Sequence, residues 1–341
     1  EHFYPECGVE NMKKIFLSPG GLEVSVLALG TAQYGTGISE EEAFRQMDLY
    51  TERGGNFLDT ALVYGDWGCA ERGCSERVIG RWLSSRKKSS QVVISTKGCH
   101  PPLEDMSESR VNADAVRKDV RLSLKNLGCD RIDLYFLHRD DPKRPVGEIL
   151  EALEEEVSRG NIRYYGCSNW SLSRVKEAAD YAAAHGLQGF SCNQIMFTLA
   201  EVDERVPGET QMLVLDREYY QYHKETQLGL MSFMCQAGGY FTKKASGRPV
   251  SRNQERMYPE KRNEKLLRKL MRYQEEGYRI NDFVLQYVTH AEFPAAAIGG
   301  FRTEEQLLEG LDGVESRLPE EALRELAELK EKQRVSQEAA T

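Results

Sequence analysis

Four ionisable side chains stand just past short apolar runs of this 341-residue chain: Asp59 after Asn56-Phe57-Leu58, Tyr64 slightly further on, Lys97 after residues 92–96 and His138 after residues 132–137. A carboxylate, a phenol, an ammonium and an imidazole can each hold, donate or accept a proton, so a cluster of them is suited to acid–base work. Singly, each has an ordinary structural reading. Asp59 serves as a helix cap, Tyr64 as a packed aromatic, Lys97 as a surface lysine and His138 as a satisfied buried histidine. What selects them as a set is the repeated placement, because groups at the ends of successive strands stand around one rim.

The elements that must position them follow from the pattern of the chain. Eight β-rich apolar runs end near Thr31, Ala61, Lys97, His138, Asn169, Phe197, Cys235 and Gly299. Each is followed by a polar turn and a helical pattern, at intervals of roughly 30 to 40 residues before an enlarged last one. The runs at 25–30, 92–96, 132–137 and 295–299 are apolar on both faces, which suits parallel strands covered on both sides. Helix ends are legible too. Ser39 precedes Glu40-Glu41-Glu42 in a helix that stops at Gly54-Gly55, and the stretches 112–128 and 171–186 open on capping residues and close on glycine.

One continuous series of eight units, without a composition shift at the middle, predicts an α/β fold of the (β/α)8 TIM-barrel type rather than two doubly wound domains. In such a barrel, active-site groups gather at the C-terminal ends of the strands. Three additions are expected: an N-terminal hairpin within residues 14–25, a long, polar, mobile loop after strand 7 at residues 236–263, and an extra charged C-terminal helix at 319–339. Met12 reads as a natural start. Residues 1–11 are therefore expected to be a poorly ordered extension, and residues 12–341 a single barrel domain.

Composition narrows the function. With 45 Lys and Arg against 54 Asp and Glu, the net charge of −9 argues against a nucleic-acid-binding surface and against docking on anionic lipid. No apolar run approaches the ~18 residues of a membrane span, and the N-terminus has no signal-like stretch, so a cytoplasmic protein is expected. The eight cysteines, at 7, 69, 74, 99, 129, 167, 192 and 235, lack CxxC spacing and are expected to be reduced thiols. Cys69, Cys74 and His100 fit no usual ligand set, and no metal is expected.

The segments GTAQYG (30–35), NFLDTALVYG (56–65), ISTKG (94–98), IDLYFLHRDDP (132–142), YGCSNW (165–170) and IGGFRTEEQL (298–307) together resemble the aldo-keto reductase family, in order and spacing, from about Met12 to Leu329. The resemblance implies a catalytic tetrad of Asp59, Tyr64, Lys97 and His138 reducing an aldehyde or ketone, sugar-derived compounds among them. Tyr64 is the implied proton donor, and since a phenol titrates near ~10, Lys97 is expected to lower its pKa while Asp59 keeps the lysine charged. His138 then polarises the carbonyl oxygen.

The sequence carries no GxGxxG after its first strand and no Walker loop. The resemblance instead implies NADP(H) bound on the barrel itself, with Gly30, Thr31 and Asp59 on the rim. Ser168, Asn169 and Gln194 are implied at the carboxamide, and Phe233, where relatives often carry Tyr, at the nicotinamide ring. Gly300, Phe301, Arg302, Gln306 and Glu309 are implied at the adenosine end. Arg302 at a helix N-terminus favours a 2′-phosphate and so NADP(H) over NAD(H).

Three departures from the family pattern stand out: Gly310 in place of a frequent Asn, Met234-Cys235 in place of Ser-Pro, and the longer stretch DWGCAERGC at 66–74. Trp67, Trp170 and Tyr240 are candidates for substrate contact. The expected partner is a small carbonyl or alcohol substrate. Two other functions fit the same residues. One is an NADP-binding redox-sensing or regulatory barrel without efficient turnover; the other is a Schiff-base role for Lys97, against which an aspartate partner keeping it charged argues.

Overall fold

In the computed structural model, residues 12–17, 21–88 and 90–338 are described, with the side chains of the last helix followed as far as Lys332. The extension expected at residues 1–11 lies outside the described residues. A short antiparallel pair, β1 (Lys14–Phe16) and β2 (Glu23–Ser25), forms the expected hairpin, although residues 18–20 of its turn are also outside the description.

The barrel then begins with β3 (Leu27–Gly30), α1 (Glu40–Glu52), β4 (Phe57–Asp59), α2 (Cys74–Arg86), β5 (Val93–Gly98), α3 (Ala113–Leu127), β6 (Ile132–Leu137) and α4 (Val146–Ser158). It continues with β7 (Ile162–Ser168), α5 (Leu172–His185), β8 (Cys192–Met196), α6 (Arg205–Gly208), α7 (Arg217–Thr226) and β9 (Gly229–Phe233). After β9 come α8 (Tyr240–Ala245), α9 (Arg252–Met257), α10 (Glu260–Glu275), α11 (Ile280–Thr289), β10 (Ala295–Gly299), α12 (Glu304–Glu315) and α13 (Glu320–Glu338). Strands β3 to β10 pair in parallel in chain order, and β10 closes on β3.

Local chemistry accounts for the helix bounds. Ser39, Asn112 and Ser171 each accept a hydrogen bond from a backbone N–H of the first turn of α1, α3 and α5, and Gly128 and Gly186 close α3 and α5 in the left-handed conformation. Inside the barrel, Ala28, Phe57, Leu134, Phe136, Met231 and Ala296 fill the interior together with Leu17, Leu22 and Val24 of the hairpin segment, which plugs one end. The plug sits so close that a Cβ on Gly229 would lie 1.9 Å from the Leu17 carbonyl oxygen. The other end, where the strands finish, is left for chemistry.

The long connection after β9 is present, but it is helical rather than irregular. Ser251 and Gln254 form a reciprocal capping box at α9, and Tyr240, Phe241, Met257 and Tyr258 are buried beside Leu266 and Leu270 of α10. Its polar residues are the outward faces of short helices. α13 buries Ala322 and Leu326, and Glu325 accepts a hydrogen bond from Tyr273 of α10 at 2.6 Å. No helix among the described residues is long and apolar enough to cross a membrane.

Candidate active site

Strands β4, β5 and β6 are neighbours, so Asp59, Lys97 and His138 emerge side by side at the same barrel end. Lys97 is 1% exposed, and its Nζ donates to Asp59 Oδ2 at 2.8 Å, to the Thr60 carbonyl at 2.7 Å and to Tyr64 Oη at 3.3 Å. The other carboxylate oxygen of Asp59 accepts from Ser95 Oγ at 2.8 Å and from Gln194 Nε2 at 2.9 Å. Tyr64 is held by the tight turn after β4, in which its N–H donates to the Ala61 carbonyl and Gly65 takes φ 86°. Its ring lies edge-on to His138, with centroids 5.9 Å apart.

The electrostatics follow from this packing. Burial opposes the Lys97 charge more than any other single influence, yet Asp59 and Tyr64 together hold its pKa above the ordinary value, so it is an ammonium. The Tyr64 pKa is raised, because burial outweighs the downward pull of Lys97. This corrects the expectation from sequence: the ammonium acts in the expected sense, but its effect is smaller than that of desolvation. Burial first, then Arg139, His100 and Lys97, push the His138 pKa well below its ordinary value, so its ring is neutral. His138 Nδ1 is buried without a hydrogen-bond partner. The His100 ring stands 4.7 Å from it, with its own pKa lowered to about 4 chiefly by burial.

The residues implied at the carboxamide also come together. Ser168 and Gln194 are partners in register, Asn169 Nδ2 donates to Ser168 Oγ at 3.0 Å, and all three are buried. Gln194 links this group to Asp59. Gly30 pairs with Asp59, and Thr31 Oγ1 donates to the Asp59 carbonyl at 2.9 Å. Phe233 is half-buried at the end of β9, and in the departure beside it Cys235 donates to the Ile298 carbonyl at 3.2 Å.

On the far side, Gly300 has open space where a side chain would be, and Arg302 is exposed at the start of α12. Thr303 caps that helix through Gln306 N–H, while Gln306 Oε1 accepts from the Arg302 N–H at 2.9 Å. Glu309 is exposed. The buried Phe301 ring explains Gly310: a Cβ there would lie 2.5 Å from the ring, and one on Gly299 2.4 Å from it.

The substrate candidates divide. Trp67 is 52% exposed. Trp170 and Tyr240 are buried, the first against Phe190 with its Nε1 donating to the Arg139 carbonyl, the second against Phe241 and Tyr258. Both of these rings are packed inside the fold. A cavity of about 330 Å³ opens instead between the Tyr64 loop and the loop after β5, lined by Val63, Asp66, Cys69, Arg72, His100 and Leu103 among others. His100 and Arg139 were missed as site residues; the available signal was their adjacency to Lys97 and His138 in the chain.

The expectation of reduced thiols is overturned at Cys69 and Cys74, which form a disulfide. The left-handed glycines 65 and 73 fold the segment back until the two Cα atoms are 6.2 Å apart, within bridging reach. Cys99, Cys129, Cys167, Cys192 and Cys235 are free. Among the described residues, no group of three or more His, Cys, Asp or Glu is placed to hold a metal ion.

The aldo/keto reductase family model matches residues 26–331. The chain belongs to this family, whose members are oxidoreductases of carbonyl compounds. It is 30% identical to an uncharacterised oxidoreductase, YrpG, of Bacillus subtilis, over 93% of this chain and 96% of that one. It is 29% identical to the norsolorinic acid reductase of Aspergillus flavus over 92% of this chain and 79% of the relative. Among solved structures, the thermostable aldo-keto reductase Tm1743, determined with the inhibitor epalrestat, shares the fold with a TM-score of 0.69. The match covers 93% of this chain and all of that one, at 23% identity.

Proposed function

We propose that this protein reduces an aldehyde or ketone to the alcohol with NADPH, using Tyr64 as the proton donor. The observation that carries the reading is the buried Lys97 ammonium, held between a carboxylate and a phenol beside a neutral histidine. The residues present fit the cofactor. Arg302 is an exposed guanidinium without an ion pair among the described residues, at a helix N-terminus, next to a glycine with open space beside it.

NADPH, when bound, supplies the hydride. Tyr64 Oη releases its proton to the carbonyl oxygen as that oxygen gains charge. The raised Tyr64 pKa keeps the phenol protonated at neutral pH, and Lys97, 3.3 Å away, stabilises the phenolate left behind. Asp59 keeps the ammonium charged and aimed. His138, neutral, offers an N–H to the same oxygen without adding a charge. Assay of the purified protein with NADPH against aldehydes, ketones and sugar-derived carbonyls tests the reading. Alcohol formed in step with NADPH consumed is the expected result, and no product from any of them would sink it.

A further inference from the structure

Arg139 follows His138 at the mouth of β6 and is 7% exposed. Its Nη1 donates to the His138 carbonyl at 2.7 Å and its Nη2 to the Thr210 carbonyl at 3.3 Å, while its buried Nε has no hydrogen-bond partner. Among the described residues it forms no ion pair. The two acids that follow it point elsewhere: Asp140 pairs with Arg174 at 3.0 Å, and Asp141 with Arg144 at 3.7 Å. Arg174, also buried, shows the usual arrangement, with Asp140 and Glu177 as counter-ions. A buried cation without a carboxylate is costly to the fold, and two backbone carbonyls would be served equally well by a neutral donor.

Its position explains why a charge is kept there. Thr210 lies just beyond α6, and its neighbour Gln211 donates from Nε2 to the Met106 carbonyl, in the loop after β5, at 2.9 Å. Arg139 therefore lies where the loops after β5 and β8 are bridged, at the barrel end that carries Tyr64 and His138. Its charge is felt by Tyr64, His138 and His100, all groups of the site.

We propose that Arg139 binds the carboxylate of the substrate, so that the preferred substrates are oxo-acids whose carbonyl is reduced between Tyr64 and His138 while their acid group pairs with this guanidinium. The inference rests on the carbonyl-reductase reading above and narrows its substrate class. A carboxylate would supply the counter-charge that the guanidinium lacks among the described residues.

Two near-isosteric probes separate charge recognition from structure: 4-formylbenzoate and 4-formylbenzamide, each reduced with NADPH by wild type, Arg139→Gln and Arg139→Lys. Wild type should favour the acid in kcat/KM by about 10- to 100-fold, mostly through KM, the range a charge-assisted contact gives. Arg139→Gln should bring that ratio close to one by removing the acid's advantage in KM, leaving the NADPH dissociation constant nearly unchanged. Arg139→Lys should keep part of the preference.

A wild-type ratio of one overturns the proposal without needing any variant to fold. So does an Arg139→Gln protein that loses both probes equally, as a structural arginine would, or one that loses NADPH affinity, as a cofactor-binding arginine would. If wild type reduces neither aldehyde, the reductase reading is what fails. Calorimetric binding of the two probes to the NADPH-loaded protein then still decides the role of Arg139, and equal affinities overturn it.

Discussion

Three oxygen atoms surround the Lys97 ammonium, and they divide its work between holding a charge in place and acting on a phenol. Lys97→Met should lower kcat/KM by roughly 10²- to 10⁴-fold, the usual size of an acid–base contribution. It should also move the alkaline limb of the pH–rate profile upward. Reduction needs Tyr64 protonated, so the rate falls as pH rises through the Tyr64 pKa. Lys97 is the main influence holding that pKa down against burial, and its loss raises the pKa further. A profile of residual activity with an unchanged limb contradicts this account. The grouping of Asp59, Tyr64, Lys97 and His138 was legible in the sequence because each stands just past an apolar run. The net direction of the Tyr64 shift was not, since burial depends on how the surrounding loops pack. The same limit applies to Trp170 and Tyr240, whose burial residue type alone does not give.

Helix starts and stops were readable where a cap acts through near neighbours, as at Ser39, Asn112 and Ser171. The α12 start is the example that bears on the proposed cofactor site. Thr303 and Gln306 order the turn, and the exposed Arg302 immediately precedes the Thr303 cap. Arg302→Ala should weaken NADPH binding by about 10- to 100-fold while leaving NADH affinity nearly unchanged, because only the 2′-phosphate loses its charge-assisted partner. Fluorescence titration of both cofactors against wild type and variant measures this, and equal wild-type affinities would mean that the phosphate site lies elsewhere. Two elements were not legible. The stretch after β9 looked irregular because the outward faces of short helices are polar, and the Cys69–Cys74 bridge depends on a loop conformation that spacing alone does not give.

At the scale of the whole molecule, eight apolar runs became eight strands in chain order, since each run is covered on both faces once the barrel closes. Closure also buries histidines. Burial lowers His100 and His223 to about 4 each and pushes His138 well below its ordinary value, whereas unfolded histidines titrate near ~6.5. Below about pH 6.5 the unfolded chain takes up protons that the fold refuses, so stability should fall as pH drops toward 4, by at most about 1.4 kcal/mol per unit for each histidine. Asp66, Glu76, Asp133, Asp140 and Asp282, whose pKa values burial raises, act in the opposite sense and reduce the slope. Denaturant unfolding between about pH 7 and pH 5 measures it, and stability that stays level or rises contradicts the neutral-histidine picture. The central claim, that this barrel reduces carbonyls through Tyr64, is tested most directly by stopped-flow mixing of the NADPH-loaded protein with excess 4-formylbenzamide or another neutral aldehyde. Wild type should oxidise its bound NADPH in a single turnover with alcohol as product, and Tyr64→Phe should do so at least about a hundredfold more slowly with unchanged NADPH affinity. Bound NADPH that stays reduced against every aldehyde, as in a sensing barrel, or a Tyr64→Phe protein that turns over at the wild-type rate, would contradict it.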